Sequence, residues 1–234
     1  VEWVMSLYFA IPREIFQRRS LLYQLILKEL KTRYARPALG FFWAFLSPFL
    51  TVVIFYLIFG AILKIRTEGV PFVLYLMSAV FPWNFFQDSL LSSATSLVQN
   101  KNLIREANFP HYMVPLSIIM ANLVNFLPTL LLVIITAFFM LKGLPIFIIL
   151  LPVVVLLQAG VTFGLAVIFS ILYVRWRDTR YILDAALLLL FYLTPVFYTL
   201  ELVKGVFSPF LFSLYLCNPF VGILNLYRLA LLRG

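Results

Sequence analysis

Charge is scarce in this sequence. Asp, Glu, Lys and Arg make up 12% of its 234 residues, where a soluble domain carries about a quarter. The hydrophobic fraction is 64% and the mean hydropathy +1.04. Surface area grows too fast relative to core volume for a water-soluble fold to hide that much apolar surface, so lipid is its natural solvent. Cys217 is the single cysteine, which excludes a disulfide framework and any Cys-based metal site and leaves it as a small packing residue. His111 is the single histidine, so there is no His cluster for a metal or a catalytic triad. None of the nine glycines begins a Gly-x-x-x-x-Gly-Lys-Ser/Thr run, so the chain has no phosphate-cradling loop for ATP. No paired carboxylates fall within an apolar run. Asp88 lies at the end of one, and Asp184 follows Arg180 by four residues, the spacing of a local helical ion pair. Coupled secondary transporters display ionisable groups inside the membrane, and their scarcity argues against that class. The net charge of +9 does not indicate nucleic-acid binding. The basic residues lie between apolar runs and at their ends, where they act as topogenic charges on anionic headgroups.

What is present is a series of long apolar runs. A bilayer core needs about 20 apolar residues in a helix. Such runs cover residues 38–63, 70–86 (interrupted by Pro82), 116–141, 146–174 and 182–200. Residues 206–216 and 219–232 are apolar but too short to span, and Pro209 and Pro219 cut them. They read as re-entrant or interfacial pieces, which lipid tolerates where protein shields the backbone. The sequence thus predicts an all-α integral membrane protein, a polytopic helical bundle with about five visible spans. Twelve of the eighteen Lys and Arg residues fall before the first run or in the second-to-third and fourth-to-fifth connections. The positive-inside rule then places the N-terminus in the cytoplasm. No secretory signal is expected, because the Arg-studded N-terminal segment lacks a small-residue cleavage site. Val1 in place of Met suggests a trimmed start. Because the chain stops at Gly234 directly after an apolar stretch, a sixth span is expected beyond it.

Three segments carry candidate functions. Residues 1–37 form an N-terminal cytoplasmic region with an amphipathic interface helix. From Ser20, a possible N-cap, Leu21, Leu22, Leu25, Ile26 and Leu30 fall on one side and Lys28, Glu29, Lys31 and Arg33 on the other, a periodicity suited to the headgroup plane. Pro37 ends it. Residues 38–234 form the transmembrane domain. Its longest cytoplasmic connection, about 87–115, keeps helical spacing through Leu90, Leu91, Ala94, Leu97 and Val98, so the second span is expected to run on. It then reaches Lys101, Asn102, Leu103, Ile104, Arg105 and Glu106, where two apolar residues among charges suit docking onto another protein; a solvated loop is the plainer alternative. The third feature is aromatic density at Phe41, Phe42, Trp43 and Phe45 and at Phe81, Trp83, Phe85 and Phe86. Aromatic faces stack against the C–H faces of sugar rings, so these residues are either a slide for a glycan or interfacial belt and helix packing.

Four stretches taken in order resemble the membrane subunit of type 2 ABC exporters for polysaccharides, the permeases that move O-antigen, capsule or teichoic-acid chains. They are LKELKTRYARPALGFFWAFLSPFL (27–50), AVFPWNFFQDSLLSSATSLVQNKNLIREANFPHYMVPLS (79–117), VRWRDTRYILDAALLLLFYLTPVFY (174–198) and NPFVGILNLYRLALL (218–232). The resemblance implies a six-span permease that works as a homodimer in the bacterial inner (plasma) membrane, with two copies of an ABC ATPase beneath it. ATP and magnesium would sit on that partner and no cofactor in this chain, which would not itself be an enzyme. Residues 100–106 would be the coupling helix and about 201–232 the outer re-entrant region. The substrate would be a lipid-linked polysaccharide, O-antigen first, its pyrophosphate met by a basic collar of Lys31, Arg33 and Arg36. Rival readings are a related permease for a drug or small lipid, a membrane-embedded glycan ligase, and an ion channel. The ligase would need an outward-facing acid, base or nucleophile, and only Glu68 and Glu201 face that side.

Overall fold

A computed structural model describes residues 14–34, 42–62, 64, 67, 69–105, 109–143 and 145–232, with the backbone alone at 34, 44 and 45. Every regular element among them is helical. Helix α1 is Arg19–Tyr34, and α2, Trp43–Phe55, continues as a π-helical segment, Tyr56–Ile62. Then follow α3 (Phe72–Gln99), the short α4 (Lys101–Ile104) and α5 (Met113–Leu141). A 3-10 turn, Ile146–Leu150, leads into α6 (Leu151–Arg175). The chain ends with α7 (Thr179–Tyr192), α8 (Leu200–Val206), α9 (Pro209–Leu216) and α10 (Pro219–Leu232).

Helix α3 is the axis of the bundle, and α5, α6 and α10 pack around it. In lipid the apolar effect does not draw helices together, so association depends on close packing and on small interfacial residues. α3 supplies these: Ser78, Ala79, Ser89, Ser93, Ala94 and Ser96 are all fully buried. Its 28 residues extend about 42 Å at a rise of about 1.5 Å each. The helix therefore runs past the second apolar stretch through Leu97, as the spacing predicts.

Among the described residues two helices, Met113–Leu141 and Ile146–Arg175 (α6 with its leading 3-10 turn), are long and apolar enough to cross a bilayer alone. The second expected span, 70–86, lies inside the continuous helix α3, whereas the first and fifth runs are broken. The first run contains Pro48 inside α2 and changes to π-helical winding before Gly60. The fifth, expected over 182–200, folds as the 14-residue α7 and then breaks, with Pro195 in a turn that leads to α8. Proline has no N–H to give to a helix and clashes with the preceding turn. α9 and α10 form the short, broken pair expected from Pro209 and Pro219, bent by 78°. Asn218 fixes that bend: its Oδ1 accepts from the Phe220 N–H at 2.9 Å, and its Nδ2 donates to Thr194 Oγ1 at 3.0 Å.

Helix α1 packs along α5. Leu22 and Leu25 are buried with Met113 and Leu116 in a second, smaller cluster. Ser20 lies inside the helix rather than at its cap. Arg180 and Asp184 are both exposed, and the expected ion pair is not made; among the described residues the salt bridges are Arg18–Glu14 and Lys28–Glu29. Solvated pairs of this kind gain little from closing.

Candidate functional site

A cavity of about 510 Å³ opens between α2, α3 and α5, with Arg33 of α1 at its edge. Its polar lining includes four carboxamides: Asn84 and Gln87 from α3, Asn122 and Asn125 from α5. Ser47, Thr51 and Thr129 add hydroxyls, and Asp88 adds a carboxylate. Its aromatic lining is Trp43, Phe81, Phe85 and Phe126. Phe85 and Phe126 are stacked, with centroids 5.1 Å apart and planes at 17°.

Helical spacing divides the aromatic residues singled out from the sequence. Phe81 and Phe85, four apart, share the face of α3 that lines the cavity. Trp83 and Phe86 lie on another face and are fully buried. Trp83 meets Phe191 and Phe220 edge-on at 5.4 and 5.8 Å, and Phe86 lies 3.8 Å from Phe220. In this conformation these two rings join α3 to α7 and α10. Phe42 and Trp43 are exposed at the start of α2. Phe41 and the side chain of Phe45 lie outside the described residues.

The residues expected to form a basic collar are also divided. Lys31 is exposed, whereas Arg33 is half-buried and donates to Asn122 Oδ1. Arg36 lies outside the described residues.

The connection that carries the expected coupling segment is held at its start by α1 and at its far end by Glu14, which precedes α1. Lys28 Nζ donates to Asn100 Oδ1, and the same amide donates back to the Ser96 carbonyl at 2.9 Å. At the far end the Tyr112 hydroxyl donates to Glu14 Oε2 at 2.7 Å. Burial and this bond to a carboxylate push the Tyr112 hydroxyl up to about 12, so it remains a donor at neutral pH. The apolar pair expected as an exposed knob is half-buried, and Leu103 packs onto the Leu22–Leu25–Met113 cluster. Lys101, Asn102 and Arg105 remain exposed. Glu106 lies outside the described residues.

Some polar residues were passed over at the sequence level. Asn122, Asn125 and Gln158 interrupt strongly apolar helices, and a polar residue in such a setting is itself a signal of function or packing. Counting only ionisable groups misses them. Arg228, counted among the topogenic charges, is 8% exposed. Its guanidinium carbon lies 3.7 Å from the Tyr75 ring centroid, and its Nη2 donates to the carbonyls of Pro195 and Val196. It borders a second cavity, of about 1110 Å³, that also includes Glu201, Thr199 and Asn225.

A helical bundle with two lipid-length apolar helices and a broken helical hairpin defines a multi-pass membrane protein. The chain belongs to the ABC-2 type transporter family, whose model matches residues 20–232, and is thus the permease component of such a transporter. It is similar to an O-antigen export system permease protein of Myxococcus xanthus, with 32% identity over 219 residues, covering 93% of this chain and 82% of that one. Two O-antigen export system permease proteins of Klebsiella pneumoniae are 29% and 30% identical to it. The matches cover 88% and 77% of this chain and 78% and 70% of those relatives.

Proposed function

We propose that this chain is the membrane subunit of an ATP-driven exporter of lipid-linked polysaccharide, of the O-antigen type, in the bacterial inner membrane. The observation that carries this reading is the similarity to three O-antigen permeases over 70–82% of their lengths. A cavity lined by carboxamides and aromatic rings is in keeping with it, since those groups suit sugars. In this reading two copies of the chain face each other, and two ATPase subunits, which carry the ATP and magnesium, dock on the cytoplasmic side. The N-terminus is cytoplasmic. Lys101, Asn102 and Arg105 offer an exposed docking face. Leu103 and Asn100 tie that face to α1, so ATPase closure would move the coupling segment and α1 together. Coupling of this kind requires contacts that differ between the two ATPase states. Aromatic residues hold the glycan by many weak contacts along its path, and basic residues near the cytoplasmic surface meet the lipid pyrophosphate.

The test is deletion of the gene in its source bacterium, followed by separate recovery of surface glycans and of lipid-linked glycans held at the inner leaflet. Loss of one surface polysaccharide with its lipid-linked precursor trapped inside is expected. An unchanged surface with no trapped precursor, in a strain without a second exporter, would move a small-lipid or drug permease to the front.

A further inference from the structure

The cavity between α2, α3 and α5 holds more hydrogen-bonding capacity than the chain itself uses. Asn122 is only 3% exposed. Its Oδ1 is taken by Arg33, but its Nδ2 has no partner. One turn further along α5, the Oδ1 of Asn125 is also buried and unpartnered. A free donor and a free acceptor thus belong to side chains that line one cavity. Buried polar groups left this way are rare in folded proteins and require a partner. Asn84 and Gln87 bring two more carboxamides from the facing helix, and the stacked Phe85–Phe126 pair supplies a flat apolar wall.

The charges in the lining narrow the class of ligand. Among the described residues, Arg33 and Asp88 are the charged residues of the lining and are of opposite sign. Arg33 already donates to Asn122. Phosphate sites gather several cationic or N–H donors around the anion, and this cavity instead opposes one engaged arginine with a carboxylate. Sugar hydroxyls donate and accept at once, which is what paired carboxamides can satisfy. The volume of about 510 Å³ lies within the range of about 300–1,000 Å³ of small-ligand sites.

We propose that this cavity is a subsite for one uncharged sugar unit of the transported glycan, read by Asn122 and Asn125 and selective against phosphate. The proposal rests on the polysaccharide reading above. It assigns Arg33 to the orientation of Asn122 rather than to the lipid pyrophosphate.

The experiment uses the permease purified together with its ATPase partner. The probes are polysaccharide released by mild acid from the source bacterium's own surface glycolipid, and inorganic pyrophosphate as a competitor. Calorimetric titration is expected to give saturable polysaccharide binding that pyrophosphate does not displace. Asn125→Leu is expected to weaken it about tenfold, the scale of one buried hydrogen-bonding group lost from a site. Where Asn122→Leu fails to fold because it releases Arg33, Asn125→Leu and Thr129→Val carry the test, since neither of these side chains bonds to Arg33. Wild-type binding that both variants retain would overturn the subsite while leaving the export reading intact. Displacement by pyrophosphate that is lost with Asn125→Leu would make the cavity an anion site and overturn the proposal. If the wild-type complex neither binds the polysaccharide nor changes its ATPase rate with it, the export reading falls and the subsite with it.

Discussion

The hydroxyl of Tyr227 in α10 donates to Oε1 of Gln158 in α6 at 2.7 Å, and both side chains are completely buried. Nε2 of the same amide donates to the carbonyl of Pro82 in α3, also at 2.7 Å. One carboxamide thus joins three helices where little else is polar. Interhelical hydrogen bonds in membrane proteins average about 0.6 kcal/mol and reach about 1.7. Tyr227→Phe is expected to destabilise the bundle within that range. Gln158→Leu is expected to cost about 1–3 kcal/mol, because it leaves a hydroxyl and a carbonyl unpaired. Denaturant unfolding of both single variants and the double variant should give non-additive changes, since they share one network. Additive losses would mean that the two residues act separately.

Arg228 fastens the α9–α10 hairpin to the broken end of α7 through Pro195 and Val196, with the Tyr75 ring against its guanidinium. Arg228→Met is expected to raise hydrogen exchange across residues 193–199 and to lower stability by about 2–4 kcal/mol, since the two carbonyls lose a charged donor. Arg228→Lys should recover little of this, because an ammonium lacks the planar fork that stacks on Tyr75 while donating to the carbonyls. Full recovery by lysine would show that charge alone matters.

Charge reversal on the exposed face of the proposed coupling segment, Lys101→Glu or Arg105→Glu, is expected to uncouple ATP hydrolysis from export without unfolding the permease. The measurement is ATPase rate beside surface glycan in the same strain. Export that continues at the wild-type level would remove this face from the docking assignment.

Asn100→Leu breaks the contact with Lys28 while leaving Lys101 and Arg105 in place. It is expected to reduce export per ATP hydrolysed, with a smaller effect on binding of the ATPase partner. If coupling is unaffected, α1 has only a structural role.

At Gly60 an added Cβ would meet Phe72 Cδ1 and Tyr56 Cδ2, both at 3.0 Å. The π-helical segment therefore runs close under α3. Gly60→Ala should be tolerated with a small loss, since the crowded atoms belong to side-chain rings. Gly60→Val should cost about 1–3 kcal/mol by overpacking, read as a drop in thermal midpoint.

Much of this protein was legible in the sequence. The lengths of the runs at 116–141 and 146–174 correspond to α5 and α6, because a long apolar stretch has few alternatives to a helix in lipid. Pro209 and Pro219 marked where α9 and α10 begin, since proline is accepted at the first turn of a helix. The four family stretches pointed to an ABC exporter permease. Other features could not be read. The break of α7 before Thr199 was signalled by Pro195 but obscured, because the run around it stays largely apolar to Leu200. Phe81 and Trp83 look equivalent in sequence, yet one lines the cavity and the other is packed against Phe191 and Phe220.

By itself the sequence determined the solvent, the helical class and the family, because composition, run length and ordered motifs are properties of the chain before it folds. Only the tertiary structure decided which face of each helix does what. The rotation of a helix in lipid is set by its neighbours and not by its own hydropathy. That rotation turned Asn122 and Asn125 toward one cavity. It also set Gln158 between three helices and took Arg228 out of the topogenic charges into the bundle.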